Sequence, residues 1–84
     1  MSNNKIVYVA MLKLNGYGFV DVVERPDCIR GLDAFDLLTN EAENDAFGEG
    51  VYEVSLMRET FDEHGNLIKV RQVKRAIIDR GDEL

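Results

Sequence analysis

Apolar and polar positions repeat with a period near two at both ends of this chain and near 3.6 in its middle. Lys5 to Leu14 is nearly continuous in apolar, β-favouring residues, and Phe19 to Glu24 resumes the pattern. Between them Asn15-Gly16 predicts a two-residue hairpin turn, because both residues tolerate positive φ. That turn sets Leu14 opposite Tyr17, Leu12 opposite Phe19 and Tyr8 opposite Val23. Alternation along the strands then gives one face to Val7, Val9, Met11, Val20 and Val22. The other face takes Tyr8, Leu12, Leu14, Tyr17, Phe19 and Val23, interrupted by Asp21. Both faces are apolar, so something must pack on each side.

Pro26 ends the second strand or lies just beyond it, since proline cannot donate to a ladder. Leu32 to Ala46 reads as a helix, with Leu32, Phe35, Leu38, Ala42 and Ala46 in an arc of about 120°. Asp33, Asp36, Asn40, Glu43 and Asn44 fall opposite, and Leu37 falls among them. Early acids suit the start of the helix and Gly48 its end.

Val51–Thr60 and Leu67–Ile78 form a second hairpin around Asp62–Asn66. A two-residue loop at His64-Gly65 would place Arg58 directly across from Arg71. A three-residue loop over Glu63–Gly65 places Glu59 across from Lys69 and Glu53 across from Arg75. Facing opposite charges are worth roughly 0.2–1 kcal/mol and like charges oppose pairing, so the second register is expected. It gathers Tyr52, Val54, Leu56, Ile68, Val70 and Ala76 on one face, with Gln72 and Lys74 as polar intrusions. The result is a single α+β domain over residues 1–84, a small antiparallel sheet of two hairpins with one central helix (ββαββ). Val70, Val73 and Ile77 also fit helical spacing, so a short C-terminal helix after Val73 is an alternative.

Length and composition narrow the class. A chain of 84 residues buries about 60–65% of its unfolded surface, enough to fold alone with little to spare. The longest apolar run, Ile6–Leu12, is far short of the roughly 20 residues that span a bilayer. One cysteine, Cys28, permits no internal disulfide, which makes a reducing, cytoplasmic setting the expectation. The net charge of −6 is unevenly spread: residues 33–63 carry ten acids against Arg58 alone, whereas residues 64–80 carry five basic residues against Asp79. Such a middle third repels phosphates and attracts basic proteins.

NGYGFV, residues 15–20, resembles the first ribonucleoprotein motif of cold-shock-type OB-fold domains. DAF, residues 33–35, is similar to the second motif, and AFGEGVYEV, residues 46–54, to the glycine-containing start of the fourth strand. The resemblance implies a five-stranded OB-like barrel in which Tyr17 and Phe19 stack on single-stranded nucleic acid. Asp33 and Asp36 beside the second motif oppose a polynucleotide backbone, which keeps this reading second. The basic stretch Ile68–Arg75 also suggests phosphate contact. In the register above, however, Lys69 and Arg75 are neutralised by Glu59 and Glu53, leaving Arg71 and Lys74 less compensated.

Catalytic chemistry finds little support. One His and one Cys fall short of the three or four ligands a metal site usually needs. Cys28 as a nucleophile would need a base, and only His64 offers an imidazole. Asp33/Asp36 and Glu41/Asp45 are helical neighbours that read as a solvated face. No cofactor is implied. The expectation is a non-enzymatic, acidic protein-binding module for a partner with a basic surface. In composition it is similar to small phage or mobile-element inhibitors of host machinery, anti-CRISPR proteins and nucleic-acid mimics among them. The expected partner-binding residues are Asp33, Asp36, Leu37, Asn40, Glu41 and Glu43. Tyr8, Tyr17 and Phe19 form an expected aromatic interface, through which a homodimer is a further alternative.

Overall fold

A computed structural model describes residues 3–44 and 48–81. The elements run β1 (Lys5–Leu14), β2 (Gly18–Arg25), α1 (Cys28–Asn44), β3 (Val51–Phe61) and β4 (Leu67–Asp79). They form one antiparallel sheet in the order β2-β1-β3-β4 with α1 across one face, the ββαββ arrangement. The sheet stays open at β2 and β4 and does not close into the OB-like barrel. Nor does the chain leave the sheet after Val73: β4 continues as strand to Asp79.

The core lies between α1 and the two central strands. Ala10 and Leu12 of β1 and Tyr52, Val54 and Leu56 of β3 meet Ala34, Phe35, Leu38 and Ala42 of α1. The phenol of Tyr52, deep in this core, donates to the Gly48 carbonyl at 2.8 Å, so no polar group is stranded there. Lys74, a polar intrusion in the pattern, lies with its ammonium 4.9 Å from the centroid of the Phe35 ring, within cation–π range.

The helix begins at Cys28, not Leu32, because Asp27 caps it. The Asp27 carboxylate accepts from the Arg30 N–H at 2.9 Å, and its carbonyl accepts the first helical bond from Gly31 at 2.9 Å. At the other end Arg80 donates to the Ala42 carbonyl at 3.1 Å, placing a cation on the helix's last turn. Ala46, expected in the core stripe, lies outside the described residues.

Both hairpin registers differ from expectation, and in both the core is the reason. In the first, the loop is three residues long: Leu14 pairs with Gly18, Lys13 with Phe19, Leu12 with Asp21 and Tyr8 with Arg25. The register shift between Lys13 and Leu12 leaves Val20 as the extra residue of a bulge. It puts Val23, not Asp21, beside the fully buried Ala10. It also turns Val20 toward the core and leaves Phe19 on the opposite face.

In the second hairpin the expected three-residue loop forms, with Gly65 at φ 86° and the Asp62 N–H bonded to the Asn66 carbonyl. Two bulges then shift the pairing, at Ile68 and at Val73. After the first Arg58 stands directly across from Arg71, and after the second Ala76 faces Val54 and Ile78 faces Tyr52. Glu59 faces Val70 and Lys69 faces Thr60, so the expected ladder of opposite charges is absent. Covering an Ile side chain is worth about 1.5–3 kcal/mol, more than one facing ion pair contributes. Burial decides the register. One ion pair survives it: Glu53 faces Ile77 yet meets Arg75 on the diagonal, Nε to Oε2 2.6 Å. Val70 moves to the uncovered face and Ile68 stands exposed in its bulge.

Candidate functional site

The outward face of α1 brings together the acidic residues singled out in the sequence. Asp33, Asp36, Asn40 and Glu43 are exposed and Glu41 is half-buried at its margin. Leu37 stands 66% exposed among them. Ion pairs among the described residues join Arg30 to Asp27, His64 to Glu63 and Arg75 to Glu53. None reaches Asp33, Asp36, Glu41 or Glu43. These carboxylates therefore face solvent with their charge uncompensated by a close cation.

The early helix start adds a residue to this face. Ile29 is 74% exposed, two turns before Leu37 on the same side of α1. Its place was legible in Pro26-Asp27, a proline followed by a capping acid, but the apolar periodicity becomes regular only at Leu32.

The expected aromatic interface does not form as a unit. Tyr8 lies half-buried on the helix side of the sheet, against the core. Phe19, 62% exposed, lies on the other side beside Lys13, and Tyr17, 71% exposed, sits in the first loop. The sheet face away from the helix is otherwise apolar at Val9, Met11, Val22, Met57, Val70 and Ile77.

Cys28 opens α1 and is exposed with a free thiol. His64 occupies the β3–β4 turn with its Nε2 3.6 Å from a Glu63 oxygen. Among the described residues no three His, Cys, Asp or Glu side chains come together as a metal-binding group. No helix among them is long and apolar enough to cross a membrane.

The turn holding His64 is built by Asp62. Its carboxylate accepts the backbone N–H groups of His64 and Asn66, each at 2.9 Å. The Asn66 N–H, first, and the other donors of the turn hold the Asp62 carboxyl below its ordinary value of 3.8. This is a structural role, because all of these donors belong to the turn itself.

Comparison with known proteins adds no assignment: no protein-family model, no curated protein and no solved structure matches this chain.

Proposed function

We propose that the protein is a non-enzymatic binding module whose acidic helix face docks on a basic surface of a partner protein. The observation that carries this reading is the outward face of α1, where uncompensated carboxylates ring an exposed apolar residue. An apolar centre with a polar rim is the anatomy of a protein interface. The carboxylates steer a basic partner in, and Leu37 supplies the contact that excludes water. Ile29 extends the apolar contact toward the start of the helix. A small acidic inhibitor of host machinery, of the phage or mobile-element kind, would work in this way.

The test is to identify what co-purifies with the protein from its native cell and to titrate that partner against variants. Leu37→Ala is expected to weaken binding about tenfold or more. Neutralising Asp36, Glu41 and Glu43 to their amides is expected to slow association and flatten its salt dependence. Equal affinities and equal salt slopes for all of these would overturn the reading.

A second reading, single-stranded nucleic-acid binding, draws on the exposure of Tyr17 and Phe19 in the NGYGFV segment. Titration with short fluorescent oligonucleotides at low salt decides it: loss of binding on Tyr17→Ala favours it, and no binding removes it.

A further inference from the structure

The register that burial selects in the second hairpin leaves one opposition of charge uncompensated. Arg58 and Arg71 face each other across β3 and β4, and like charges in direct opposition destabilise a strand pair. Neither side chain forms a hydrogen bond or an ion pair with any described residue, and the buried Nε of Arg58 has no partner. Both line a cleft of about 290 Å³ between the first residue of α1 and the sheet, completed by Tyr8, Cys28, Gln72 and Val73. No carboxylate lines it. Asp27, the nearest acid in sequence to Cys28, caps the helix and lies 3.6 Å from Arg30.

We propose that this cleft binds the phosphate group of a small ligand between Arg58 and Arg71. Two guanidinium groups facing one another are a dianion's complement, since a phosphate accepts N–H bonds from both forks while a carboxylate neutralises only one. A bound dianion converts the opposed like charges into two attractive pairs. The cleft is fixed in shape on its other wall. A Cβ on Gly31 would lie 2.8 Å from the Tyr8 Cβ, so the bare glycine lets the helix start press close to β1 at Tyr8. The Tyr8 ring then offers an apolar surface beside the arginines for whatever carries the phosphate. This site is separate from the acidic face of α1 and does not depend on it.

The test uses the full, ¹⁵N-labelled chain at constant ionic strength, with chloride replaced by inorganic phosphate in one titration and adenosine monophosphate added in another. The expected result is a saturable shift of the Arg58 Nε–Hε resonance and of amides near Cys28. Saturation by phosphate alone supports a site for the free group; saturation only by the nucleotide supports one in which Tyr8 holds the remainder. Arg71 is exposed, so Arg71→Gln should fold and should weaken binding about tenfold or more. Glu49→Gln, exposed in the loop before β3 and away from the cleft, should leave the affinity unchanged. Shifts that stay linear with both ligands, or an affinity identical in Arg71→Gln, would overturn the proposal.

Discussion

Gly31 shows how much one missing methyl group can decide. Its Cβ would approach Tyr8 at 2.8 Å and Leu56 at 3.3 Å, and the first of these neighbours is anchored at its own backbone. Gly31→Ala should therefore cost about 1–3 kcal/mol through overpacking, although alanine is the better helix former, and a urea denaturation midpoint would measure it. Asp62 is decided by hydrogen bonds instead. Its folded carboxyl titrates below 3.8, so the stability it contributes is present above that value and lost as pH falls through the lowered one. Acid unfolding of Asp62→Asn should accordingly be shallower than that of the natural chain below about pH 4, as read by circular dichroism. The turn was legible from DEHGN because its chemistry is local. The need for glycine at 31 was not, because the atoms it makes room for belong to β1 and β3.

Among the elements, the sheet has two unequal faces. Leu56 is fully buried beneath the helix, whereas Val22 is half-exposed on the uncovered side. Leu56→Ala should cost about 2–5 kcal/mol, while Val22→Thr should stay within roughly 0.5 kcal/mol. Near-equal midpoints for the two would contradict this assignment of faces. All four strands and the helix were legible from periodicity and turn residues. The pairings were not, for a physical reason: a bulge costs one unpaired residue, and a sequence does not announce where it will be spent. At Val20 the gain is Val23 rather than Asp21 beside Ala10, and at Ile68 and Val73 it is Ile78 against Tyr52. Facing charges suggested a register that differs from this by one or two residues, and apolar burial outweighed them. The acidic helix face survived because it depends only on spacing within one helix, while the grouping of Tyr8 with Phe19 failed because it depended on pairing.

At the scale of the whole molecule, charge is partitioned. The carboxylates of α1 lie on its outward side, and the unpaired arginines lie where the hairpin runs past the helix start. The net charge of −6 therefore conceals two regions of opposite sign. Replacing Asp36, Glu41 and Glu43 with lysine would bring the net charge to zero, with little change in stability at these surface positions. Such a variant should reach a solubility minimum near neutral pH, where the natural chain stays dispersed, and turbidity against pH would show it. Amide replacements leave a balance of −3 and are the better probes of docking.

One of the two edge strands, β4, is 13 residues long and exposes Leu67, Ile68, Val70, Val73 and Ile77. A straight margin of that composition would invite copies to stack along it into fibrils. The two bulges break its line, and Lys69, Arg71 and Lys74 set repelling cations between the apolar residues. The same irregularities that carry Ile78 into the core thus guard the chain against polymerising through its own border.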